Sequence, residues 1–163
     1  MTRVCTIGVY GWTVEAFLRA LREADVRLVV DVRQRRGVRG SEYAWANAAR
    51  LQAALAEAGL EYAHRLDLAP TTELRQLQYA ADERAGVGKR SRTELAPAYV
   101  ERYTREILDR ADLASLVAQL PQDGAAALLC VERDPQACHR SLVAARLADE
   151  HGVEVAHLRP AAV

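Results

Sequence analysis

Residues 130–140 crowd two thiols, an imidazole, two carboxylates and two guanidinium groups into one short stretch: Cys130, Glu132, Arg133, Asp134, Cys138, His139 and Arg140. Thiols attack, imidazoles and carboxylates hold protons, and guanidinium forks bind anions, so the stretch carries the parts of a reaction centre. An apolar run over 125–130 comes before its charged residues and an amphipathic run over 141–149 follows, which predicts a strand-to-helix loop. At the start of such a helix the unpaired N–H groups and the helix dipole favour an anion, or the thiolate form of a cysteine. Three readings of Cys138 and His139 are open. In the first, a Cys138 thiolate is the nucleophile while His139, His64 or Glu132 manages protons. In the second, Cys130, Cys138 and a histidine hold zinc or iron. In the third, Cys138 packs beneath the loop and His139 caps backbone groups. The C-x7-C-H spacing matches no standard metal-ligand pattern, so no metal is assigned from the sequence.

Other chemistry-bearing residues fall where strands are predicted to end. Asp31 and Arg33 flank Val32, and an offset of two turns both side chains to one face, where they pair or share a ligand. Gly8, Tyr10 and His64 stand at or just beyond the ends of two further apolar runs. The catalytic candidates are therefore Cys138, His139, Asp31 and Glu132. The ligand-binding candidates are Gly8, Tyr10, Arg33, His64, Cys130 and Arg140. Two basic loops add Arg35, Arg36 and Arg39, then Lys89, Arg90 and Arg92, with Tyr43 and Trp45 just beyond the first. Basic loops interleaved with aromatics suit single-stranded nucleic acid, and solvated loops are the competing reading. The expected function is binding of a small anionic ligand, phosphate- or nucleotide-like, at the strand ends, with Cys138 and His139 available for catalysis. The alternative is a nucleic-acid binding or processing module on loops 33–40 and 86–92. No glycine-rich dinucleotide or phosphate loop is present, since Gly8-Val9-Tyr10-Gly11 is too short for either, and no cofactor is assigned.

The elements that must position these groups alternate. Apolar runs at 4–7, 26–32, 60–64, 125–130 and 153–158 predict strands. Helical spacing or composition predicts helices after Thr13 and over 44–58, 73–85, 97–109, 113–120 and 141–150, with Gly59 as a C-terminal stop. Strands alternating with helices predict an α/β fold, a three-layer Rossmann-like sandwich with a mainly parallel sheet in a single domain over residues 1–163. In such sheets ligands bind outside the strand C-termini, the edge to which the chemically loaded residues map. At 163 residues, 50% hydrophobic and 27% charged, the chain has the composition of a globular domain. Its 22 basic and 22 acidic residues cancel, which speaks modestly against a general nucleic-acid binder. No stretch is apolar enough to span a bilayer and the N-terminus lacks a signal-peptide layout, so a cytoplasmic location without a membrane partner is expected. Three cysteines in such a chain argue against a disulfide framework, and Cys5 reads as a small buried hydrophobe.

Four segments together resemble the DUF488 family of small bacterial and archaeal proteins. They are Thr6-Ile7-Gly8, Asp31-Val32-Arg33, residues 60–64 with Tyr62 and His64, and the most specific, Cys130-Val131-Glu132 through Cys138-His139-Arg140. The resemblance implies a Rossmann-like α/β domain and supplies candidate residues, but no reaction, since the family is one of unknown function. Family members often continue Thr-Ile-Gly with His-Ser, whereas this chain has Val9-Tyr10, so any role of that histidine is absent here or falls to Tyr10. The two arginine clusters imply a subgroup with its own anionic ligand.

Overall fold

The structure is a computed structural model that describes residues 2–88 and 90–161. Lys89 lies outside the described residues. The strands are β1 (Arg3–Ile7), β2 (Val26–Asp31), β3 (Glu61–His64), β4 (Ala125–Leu129) and β5 (Glu154–His157). All pair in parallel, in the order β3-β2-β4-β1-β5. The helices are α1 (Val14–Glu23), α2 (Ala48–Glu57), α3 (Thr72–Ala85), α4 (Pro97–Glu106), α5 (Leu113–Gln119) and α6 (Arg140–His151). The α/β sandwich expected from the alternating pattern is what forms.

The sequence explains the layering. β4 reads Ala-Ala-Ala-Leu-Leu, is buried throughout, and pairs with a strand on each side. Small side chains at the centre of the sheet let helices approach from both faces. In α1, Thr13 accepts a hydrogen bond from Ala16 N, and Phe17 and Leu21, four apart, are buried. In α3, Thr71 caps Leu74 N and Gly86 closes the helix at φ 71°, a left-handed conformation that glycine adopts without strain.

The connections leaving β1 and β2 run one way along the sheet, and those leaving β3 and β4 run the other. Right-handed crossovers then place α1 and α2 on one face and α3 to α6 on the opposite one. β4 sits between β1 and β2, and its crossover leaves in the opposite direction from theirs, so the strand order reverses here, the usual ligand position in such sheets.

One boundary differs from expectation. Residues 44–58 are not a single helix: Ser41–Ala46 form a 3-10 turn and α2 begins at Ala48, after an extended Asn47. Two bonds explain the break. The Ala46 carbonyl accepts from Arg33 Nη1 at 2.9 Å, and Asn47 Oδ1 accepts from Val38 N at 2.7 Å. Smaller trims occur at 97–109, where α4 gives way to a 3-10 turn over Leu108–Arg110, and at the strand over 153–158. Among the described residues, no helix is long and apolar enough to cross a membrane.

Candidate active site

β4 ends at Leu129, and the next three residues, Cys130, Val131 and Glu132, run on into the crevice. Their path depends on Gly8. A Cβ at that position would lie 1.9 Å from the Glu132 carbonyl oxygen, so only glycine lets the loop after β1 and the loop after β4 close on each other. Val131 O accepts from both Val9 N and Tyr10 N across this contact. A 3-10 turn at Pro135–Ala137 then brings the chain back, so that Cys138 and His139 face Cys130 at the start of α6.

The three groups form one cluster. His139 Nδ1 lies 3.7 Å from Cys130 Sγ and 3.8 Å from Cys138 Sγ. The ring is held from its other side, where Nε2 is 2.8 Å from the Val32 carbonyl. A carbonyl only accepts, so Nε2 carries the hydrogen and Nδ1 is the atom turned to the sulfurs. Tyr103 packs beside the ring at 5.4 Å between centroids. Cys130 donates to Glu132 Oε2 at 3.6 Å, while Glu132 Oε1 accepts from Arg92 Nη2 at 2.7 Å. Arg92 also donates to Asp82 Oδ2 at 2.6 Å and to the Ala137 carbonyl at 3.1 Å. The buried chain Asp82–Arg92–Glu132 therefore ties α3 to the sulfur cluster.

The electrostatics separate the two thiols. Burial pushes Cys138 up, but the neighbouring Cys130, the adjoining His139 and Arg140 outweigh it and hold the thiol well below the ordinary range. Burial, followed by the neighbouring Cys138 and Glu132, pushes Cys130 well above it. Burial opposes a charge on His139, yet the Cys138 thiolate beside it raises its pKa. These directions favour the charged forms of Cys138 and His139 and the neutral form of Cys130. The three donor atoms all lie within 4.8 Å of one another, close enough to share a single soft ion.

Several expected catalytic and ligand groups also brace the fold. Arg33 and Asp31 pair through Nε and Nη2 at 2.9 and 2.8 Å, fully buried, and Tyr62 donates to Asp31 at 2.6 Å. His64 Nε2 donates to the Arg33 carbonyl, and Arg140 donates to the Glu132 and Arg133 carbonyls. Arg92, read from sequence as a loop residue, is buried in the ion-pair chain. Trp45 packs on Phe17 at 4.9 Å between centroids, away from the crevice groove.

Two adjoining spaces remain. A cavity of about 60 Å³ lies against Cys130, Cys138, His139, Arg92 and Tyr99. It shares Arg35, Arg75, Tyr79 and Val131 with an outer groove of about 860 Å³ that Tyr10, Arg39 and Arg90 also line. No carboxylate lines the groove among the described residues. Arg90 lies over the rings of Tyr10 and Tyr43, 4.9 and 5.3 Å from their centroids, and pairs with Glu42. Arg35 is exposed and has no hydrogen-bond or ion-pair partner among the described residues. Arg36 donates to Tyr62 and stands apart from the groove.

Sequence reasoning missed Arg75, Gln78, Tyr79 and Asp82. They form a polar stripe at helical spacing on α3, a signal present but easily read as solvent-facing.

A family model described as "Domain of unknown function DUF488" matches residues 13–147. The chain belongs to the DUF488 family. No curated protein matches this DUF488 chain. Among solved structures it is similar to the conserved hypothetical protein APE0931 from Aeropyrum pernix K1, at 23% identity and a TM-score of 0.43. That alignment covers 97% of the DUF488 chain and 38% of the other protein, so the present chain spans less than half of that protein's length.

Proposed function

We propose that the crevice is the active site of an enzyme acting on a small anionic substrate, phosphate- or carboxylate-bearing, with the Cys138 thiolate as the reacting group and His139 as its proton partner. One observation carries this reading: Cys138, with His139 Nδ1 beside its sulfur, lines a cavity whose outer groove is walled by arginines with no carboxylate among the described residues. Guanidinium groups attract and orient anions, and a thiolate held beside an imidazolium is a nucleophile at neutral pH.

Paired alkylating reagents test it. Negatively charged iodoacetate should modify Cys138 faster, relative to a free thiol, than neutral iodoacetamide does. Inorganic pyrophosphate or a nucleoside monophosphate should protect the residue. If both reagents react alike and no anion protects, the reading is wrong.

A second reading keeps the groove but changes its occupant. Arg90 over Tyr10 and Tyr43, and Arg75 at 5.6 Å from the Tyr79 ring centroid, are surfaces on which bases of single-stranded nucleic acid could stack. Binding of a short oligonucleotide that weakens steeply with salt, and is lost in an Arg35→Ala/Arg39→Ala/Arg90→Ala variant, favours this occupant.

A further inference from the structure

We infer that Cys138 and Cys130 act as a nucleophile and resolving pair that reduces the disulfide bond of a small acidic disulfide compound, with His139 passing protons to and from both sulfurs. This rests on the active-site reading above and names its substrate class. The geometry that carries it is the position of His139 Nδ1, 3.8 Å from Cys138 Sγ and 3.7 Å from Cys130 Sγ, with Nε2 fixed on the Val32 carbonyl. A single-nucleophile site needs its imidazole near one sulfur. An imidazole set between two, with the sulfurs themselves within 4.8 Å, serves two consecutive transfers.

The steps balance. Cys138 thiolate attacks one sulfur of R–S–S–R′, forming a mixed disulfide and expelling R′–S⁻, which takes the proton from His139 Nδ1. The neutral imidazole then accepts the proton of Cys130. Cys130 attacks Cys138 Sγ, an S–S bond forms between them, and R–S⁻ leaves with that proton. Two electrons pass from the protein to the substrate, giving two small thiols and a Cys130–Cys138 disulfide. A low-molecular-weight thiol restores the dithiol by the same exchange in reverse.

The asymmetry of the thiols suits this order. The contacts around the attacking sulfur lower its pKa, while burial and its neighbours raise that of the resolving one. The inner cavity, about 60 Å³, has room for a slim unbranched chain such as a methylene disulfide. Arg35, Arg39, Arg75 and Arg90 in the outer groove then meet the acidic ends of that chain.

Three matched disulfides test the inference: 3,3′-dithiodipropionate, neutral 2-hydroxyethyl disulfide and cationic cystamine. The reduced protein should release two small thiols per chain and lose two hydrogens in mass, with peptides 130 and 138 joined. The dianion should react roughly tenfold faster than cystamine. Cys130→Ser should stop at a mixed disulfide on Cys138, and Cys138→Ser should give no adduct at either position. Because serine variants of buried thiols can misfold, the wild-type intermediate is also trapped by rapid acid quench, where the adduct should sit on Cys138 first. The inference is overturned if no internal disulfide forms, if Cys130→Ser still releases two thiols, or if the purified protein holds one zinc ion on these residues that blocks the exchange. Fast, anion-protected alkylation of Cys138 with no internal disulfide would retire the relay and leave the active-site reading standing. Charge-blind alkylation would remove both.

Discussion

At the scale of single residues, the orientation of one histidine ring decides the chemistry. With Nε2 donating to Val32, His139 presents Nδ1 to both sulfurs, and the lowered Cys138 pKa follows from Cys130, from that contact and from Arg140. A lowered thiol pKa means the thiolate persists as pH falls, so the sign of the expected effect is fixed. With each cysteine normalised to its own rate at high pH, Cys138 alkylation should stay high well below the free-thiol value of roughly 8.5, while Cys5 and Cys130 fall away at or above it. Burial raises both of those thiols, and they serve as internal controls. Peptide mass spectrometry across pH checks this, and a Cys138 profile that overlays the other two would contradict the ion pair. Gly8 is the other decisive residue. Gly8→Ala puts a Cβ into the Glu132 backbone carbonyl, and strain of this kind costs about 1–3 kcal/mol or more, readable in chemical denaturation.

At the scale of elements, the site is held by two buried ion-pair assemblies. Asp31–Arg33, with Tyr62, fastens the ends of β2 and β3 to the turn before α2. Asp82–Arg92–Glu132 fastens α3 to the loop after β4. Replacing Arg92 by Met leaves two buried carboxylates without that guanidinium, which should cost about 3–5 kcal/mol by urea unfolding. An Arg92→Met/Asp82→Leu/Glu132→Gln variant should recover part of the loss, because fewer uncompensated charges then stay in the interior. How legible was this in sequence? The Cys130–His139 stretch, the Asp31–Arg33 offset and the alternation of elements were all readable, because each is a local pattern of residue type and spacing. The partner of Arg92 was not. Its carboxylates come from a helix ten residues earlier and a loop forty residues later, and a basic residue in a glycine-containing loop reads as solvated. The same limit hid the break before α2, since Ala44 to Ala48 favour helix locally and yield because Arg33 claims the Ala46 carbonyl and Val38 N the Asn47 side chain.

At the scale of the whole molecule, charge is balanced in count and unbalanced in place. The 22 basic and 22 acidic residues cancel, yet the groove leading to Cys138 is lined by Arg35, Arg39, Arg75 and Arg90 with no described carboxylate among them. Global charge therefore said little about the ligand, whereas the sheet order does, because placing β4 between β1 and β2 gathers these side chains around one crevice. Two mechanisms of anion preference can be told apart. If it arose from Arg33 and Arg140, which are buried and bound to protein groups, salt would scarcely touch it. If it arises from the exposed groove arginines, it is a long-range field that mobile ions screen, with a screening length of about 10 Å at 0.1 M salt and about 3 Å at 1 M. The ratio of iodoacetate to iodoacetamide rates at Cys138 should therefore fall several-fold between 0.05 and 1 M salt (about 30 to 3 Å screening over the wider range from 0.01 M), converging on the free-thiol ratio. An Arg35→Ala/Arg39→Ala variant, which removes two of the four groove charges and no side-chain hydrogen bond or ion pair among the described residues, should move the low-salt ratio part of the way to the converged one. A salt-independent preference would move anion recognition from the groove to the buried arginines.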